Sequence, residues 1–132
     1  MNLQSFTHSR SFSWFTLIGT LAGMVHYSVA VTVEASIGLH PGWANVCGFM
    51  LAFPVSYLGH RKFSFAWRKI PHQHAFPRFL LVACGGFLEN QFLTLSGLKL
   101  LAWPFWIVLA IVMVLVAVTT YSLSRFWAFK PI

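Results

Sequence analysis

Four apolar runs of helical length follow one another along the chain, at about 13–33, 43–59, 77–98 and 105–124. A hydrocarbon core about 30 Å thick is crossed by about 20 residues of helix, so each run predicts a transmembrane helix. The polar stretch 60–78 separates the second run from the third, and its prolines, Pro71 and Pro77, are expected to break any continuous helix through it. Pro54 is expected to kink the second helix one turn before that stretch. The other two connections are short. The pattern predicts an all-α membrane protein, 1–132 forming a single transmembrane domain of four helices.

Composition agrees with the pattern. At 58% hydrophobic and 8% charged residues, the chain lies outside the range of soluble domains. The net charge of +7 arises from nine Lys and Arg against Glu34 and Glu89. Such a balance often marks nucleic-acid binding. Here the basic residues flank apolar helices, so they serve membrane orientation and no nucleic-acid partner is expected.

All basic residues except Lys99 fall at the termini or in the central loop, which places both termini and that loop in the cytoplasm. The tryptophans, Trp14, Trp43, Trp67, Trp103, Trp106 and Trp127, lie at or just beyond the ends of runs, as an interfacial aromatic belt requires. The first run is long enough to span and lacks a small-residue cleavage site after it, so it is expected to be a helix and not a signal peptide. Cys47 and Cys84 sit inside apolar runs without a His or Cys at ligand spacing, which predicts neither a disulfide nor a metal site.

The two halves repeat at a shift of about 64 residues, matching Phe15 with Phe79, Tyr57 with Tyr121, Arg61 with Arg125 and Phe65 with Phe129. Pro41 and Pro104 agree after a one-residue slip. The repeats, about 12–66 and 76–130, read as parallel two-helix hairpins related by an axis along the membrane normal, a construction used by small transporters.

Polar side chains within the apolar runs are costly in lipid and mark candidate function. Glu89 falls near the bilayer midplane by its distance from Arg78, and His26 is its plausible partner. Asn90 is placed at the depth of His26, and Asn45 lies on a small-residue stripe of the second helix with Gly48, Ala52 and Ser56. His26, Asn45, Glu89 and Asn90 are the candidate polar path within the membrane. At the basic end, Arg61 and Arg125 stand at equivalent depths, and two guanidinium groups facing one groove suit a lipid phosphate, with Lys62 assisting. Tyr57 and Tyr121, one turn before these arginines, are the candidate groove residues.

Arg78-Phe79-Leu80-Leu81-Val82 at the opening of the third helix, and the paired Arg-to-Phe endings at 61–65 and 125–129, resemble the GtrA-like family of small four-helix membrane proteins over nearly the whole chain. His60 and Ser124 stand where that family often has Asn before the terminal Arg. The resemblance implies translocation of a polyprenyl-phosphate-linked monosaccharide across the bacterial inner membrane, for cell-surface polysaccharide synthesis, with a membrane glycosyltransferase as partner. No cofactor and no catalytic residue are implied: the chain lacks Asp and any GxxxxGK[ST] phosphate loop. The small bundle suggests a homo-oligomer, a dimer or larger. Two other functions fit the sequence: a membrane adaptor for such a glycosyltransferase, and a proton-coupled exporter of cationic drugs.

Overall fold

A computed structural model of the protein describes residues 3–64, 69–123, 126 and 127. Arg125, Phe65, Trp67 and Phe129, used above, lie outside the described residues. The described chain is all-helical: α1 spans Leu3–Ile37, α2 Pro41–Gly59, α3 His72–Leu101 and α4 Phe105–Leu123, with a π-helical turn at His60–Ser64 following α2.

The helix starts differ from those expected. Residues 3–12 carry no Pro or Gly, so nothing ends the helix at the edge of the apolar run, and α1 extends back to Leu3. Pro71 caps α3, whereas Pro77 lies inside it instead of breaking it. That is tolerable so near the helix start, where the first four N–H groups have no intrahelical partner and Pro77 removes only one further bond. Pro54 likewise lies within α2.

Three of the helical segments are long and apolar enough to cross a membrane: Ser9–Ile37, His72–Leu101 and Phe105–Leu123. The protein is a multi-pass membrane protein. The fourth helix, α2, is 19 residues long like α4 but carries Pro41, Asn45, Pro54 and three glycines, which lower its apolar content relative to α4.

The helices pair in sequence. α1 packs chiefly on α2 and α3 chiefly on α4, while smaller α1–α4 and α2–α3 contacts close the bundle. Gly38, in the left-handed region at φ 70°, ends α1 and returns its N–H to Glu34 O; Ala102 takes the same conformation at φ 53° beyond α3. The α1–α2 approach is close at Gly48, where an added Cβ would lie 2.5 Å from the His26 carbonyl oxygen. One apolar cluster, with Phe15, Tyr57, Phe79 and Val82, packs the end that carries the basic loop. A second, with Ala30, Ala44, Phe105 and Leu109, packs the end of the short turns.

Candidate functional site

Helix rotation decides which polar side chains meet. Asn45 is fully buried on α2, and its amide joins three helices: Nδ2 donates to Asn90 Oδ1 at 2.7 Å and to Gln91 Oε1 at 2.8 Å, both on α3, while Oδ1 lies 2.6 Å from His26 Nε2 on α1. Thr94 Oγ1, one turn along α3, donates to Asn90 Oδ1 at 3.3 Å, and Gln91 Nε2 donates to the Gly42 carbonyl at 3.0 Å. Gly48 permits this geometry because its missing side chain lets the His26 ring lie against α2.

His26, Asn45 and Asn90 thus come together. Glu89 does not join them. One residue of helix turns its side chain by about 100° from that of Asn90, and Glu89 is half-buried with no hydrogen bond or ion pair to the described residues. His26 pairs with Asn45 and not with Glu89. Gln91 and Thr94, which complete the network, were not singled out in the sequence; the polar run Asn90-Gln91 with Thr94 at the next turn was the available signal.

A cavity of about 580 Å³ runs between the helices from the basic end to this network. His26 and Asn90 line its inner end, and Phe12, His60 and Tyr121 its outer end. From Phe12 to His26 along α1 is roughly 21 Å. Thr16 and Thr20 of α1 and Ala117 and Val118 of α4 line it while remaining exposed, so the cavity opens sideways between α1 and α4. Edge-on packing of Phe12 against Tyr121, centroids 5.6 Å apart, closes the gap at one end of this opening. Tyr27 OH, bonded to Trp106 O at 2.9 Å, ties the same helices together at the other. No charged side chain of the described residues lines the cavity.

The basic end is built around Arg61. Its Nη2 donates to the Ile70 carbonyl at 3.2 Å and its Nη1 lies 3.3 Å from His72 Nδ1, which also lies 2.7 Å from Tyr57 OH. Because a guanidinium can only donate, His72 Nδ1 is the acceptor of this pair. Arg61 therefore ties the π-helical turn to the start of α3. Tyr57 is buried beside Phe76 and Phe79 and does not line the cavity; Tyr121 does. Lys62 is exposed, with Nζ 5.4 Å from the centre of the Phe63 ring. His60 is buried in the π-helical turn, stacked on Phe15 with centroids 4.4 Å apart and 2.9 Å from Ser64 Oγ through Nδ1. Burial pushes its imidazole down to about 3.

Comparisons with known proteins bear on this arrangement. No curated protein and no solved structure matches the chain. The family model of the GtrA/DPMS transmembrane domain matches residues 14–129, a stretch that covers α1 from Trp14 on, the other three helices, and every residue lining the cavity except Phe12. The chain belongs to the GtrA/DPMS transmembrane-domain family.

Proposed function

We propose that this protein translocates a polyprenyl-phosphate-linked monosaccharide across the bacterial cytoplasmic membrane for cell-surface polysaccharide synthesis, acting as a carrier without catalytic residues. The observation that carries the reading is the cavity: it opens to lipid between α1 and α4 and leads from the basic end to the buried network at Asn45. A polar head crossing hydrocarbon needs substitutes for water, and a lateral opening lets the polyprenyl chain stay in lipid meanwhile. In this reading α2 is a fourth span and the hairpins α1–α2 and α3–α4 are parallel repeats. Both termini and the basic stretch between the second and third helices face the cytoplasm.

Arg61, Arg125 and Lys62 hold the phosphate at the cytoplasmic leaflet; the bond from Arg61 to His72 is the one a phosphate replaces, since the bond to Ile70 uses the other nitrogen. A homo-oligomer and a membrane glycosyltransferase partner complete the assignment. A cation exporter would set a carboxylate in the cavity wall, and Glu89 is not among the residues that line it.

Native mass spectrometry of the purified protein with its copurified lipids tests the reading. Bound polyprenyl phosphate, bare or glycosylated, is expected in the wild type and lost in Arg61→Ala/Arg125→Ala but kept in Lys99→Ala. Bulk phospholipid alone in every variant refutes the carrier and favours an adaptor that holds a glycosyltransferase.

A further inference from the structure

The hydrogen bonds at the inner end of the cavity fix which atoms remain to meet a ligand. Gln91 Nε2 donates to Gly42 O, so Gln91 Oε1 is an acceptor and Asn45 Nδ2 its donor. Asn45 Oδ1 is then an acceptor, and His26 Nε2 carries a hydrogen. Asn90 Oδ1 receives both Asn45 and Thr94.

Two buried polar atoms are left over: Asn90 Nδ2 and His26 Nδ1 bond to no described residue. Asn90 is 4% exposed and His26 8%, and both line the cavity. His26 Cδ2 lies against Gly48, so the opposite edge of the ring, with Nδ1, points away from α2. An imidazolium here would be a buried charge without a counter-ion, so the ring is neutral and Nδ1 is an acceptor. The end of the cavity therefore offers one amide donor and one imidazole acceptor, set in apolar walls without a cation.

We propose that this end of the cavity is a receptor for a neutral polyhydroxylated headgroup, such as a hexopyranose, in which Asn90 Nδ2 donates to one hydroxyl oxygen and His26 Nδ1 accepts from a hydroxyl hydrogen. A hydroxyl both donates and accepts, so it satisfies the pair. A fully ionised phosphate or carboxylate has no hydrogen for Nδ1, and any ionised form would bring an uncompensated charge into apolar surroundings. The inference rests on the carrier reading for its biological ligand and adds an orientation: the sugar goes in, toward His26 and Asn90, and the phosphate stays at the basic end. The volume of about 580 Å³ is ample for one small ring with part of its apolar chain.

The test uses n-octyl β-glucopyranoside as probe, titrated below its micellar concentration into the full-length protein in lipid nanodiscs with 15N-labelled histidine. The expected result is a saturable shift of the His26 Nδ1 resonance, absent with n-octyl phosphate and n-octyltrimethylammonium. Asn90→Leu removes the donor and should raise the half-saturating concentration about tenfold or more. Since that variant also breaks the bonds to Asn45 and Thr94, Ala117→Phe serves as a second: it fills the opening from the lipid side, leaves the network intact, and should likewise weaken the glucoside. An equal shift with octyl phosphate, or glucoside binding unchanged in Ala117→Phe, overturns the proposal. Glucoside binding in a protein that moves no lipid-linked sugar would leave this site standing and refute the carrier; translocation without glucoside binding would do the reverse.

Discussion

Replacing Asn45 with Leu removes a residue that joins α1, α2 and α3 through polar bonds while keeping its size. Three contacts disappear: those to Asn90 Oδ1, to Gln91 Oε1 and to His26 Nε2. Asn90 keeps Thr94, and Gln91 keeps the Gly42 carbonyl through its nitrogen. The His26 N–H and Gln91 Oε1 are left without partners. Interhelical hydrogen bonds in membranes are worth about 0.6 kcal/mol each, so three give roughly 2 kcal/mol. Orphaned buried groups cost about 1–3 kcal/mol apiece in soluble proteins, so the total can reach about 4 kcal/mol. Leu returns little, because the unfolded reference is already in lipid. Reversible unfolding in mixed micelles, followed by helical circular dichroism or steric trapping, measures the loss. Thr94→Val, which breaks only the 3.3 Å bond, should cost about 0.5 kcal/mol in the same assay. A loss below about 0.5 kcal/mol for Asn45→Leu would mean that the network contributes nothing to holding the helices, and the reasoning fails.

Other expectations concern packing, strain and protonation. Gly48→Ala sets a Cβ 2.5 Å from a backbone oxygen of α1 and must separate α1 from α2, at a cost of about 2 kcal/mol or more; Gly19→Ala, with nothing within 4 Å, should be neutral or slightly stabilising in the same unfolding assay. Ala102→Gly relieves the left-handed conformation beyond α3 and should stabilise by about 1 kcal/mol. His60 has a folded value of about 3 against an ordinary 6.5. Above pH 6.5 the ring is neutral in both states and contributes no pH dependence. Below it the unfolded chain binds the proton and the folded one does not, so stability falls with falling pH, by up to about 1.4 kcal/mol per unit between 6.5 and 3. Unfolding of wild type and His60→Gln at pH 7.5 and pH 5 checks the sign: the wild type should lose more.

The helices were legible because each is an apolar run bounded by polar or turn residues, but their ends were not. Helix α1 reaches Leu3 because nothing stops it, and α3 begins at His72 because a proline six residues in is tolerated. Helix α2 lacks a continuous stretch as apolar as those in the other three helices because Asn45, the prolines and the glycines that build its contacts are spread along its whole length. The polar residues inside the runs stood out as chemistry lipid does not favour. Their partners did not, since pairing depends on helix rotation: Asn90 turns inward to Asn45 while Glu89, its neighbour in sequence, turns aside. The position of Arg61 at a helix end could be read from charge alone. Its hold on Ile70 and His72 could not, because those contacts join residues 9 and 11 positions apart, a separation that charge pattern does not predict.

The most direct test of the carrier is a flip assay in proteoliposomes that hold a short-chain polyprenyl phosphate monosaccharide in one leaflet, its sugar made accessible to a membrane-impermeant oxidant only after crossing. Wild type should expose the sugar well above the rate of protein-free vesicles, with Asn45→Leu and Ala117→Phe slowed toward that background and Lys99→Ala unchanged. A wild-type rate equal to that of empty vesicles, across a series of monosaccharides and with the protein folded in the bilayer, would contradict the account.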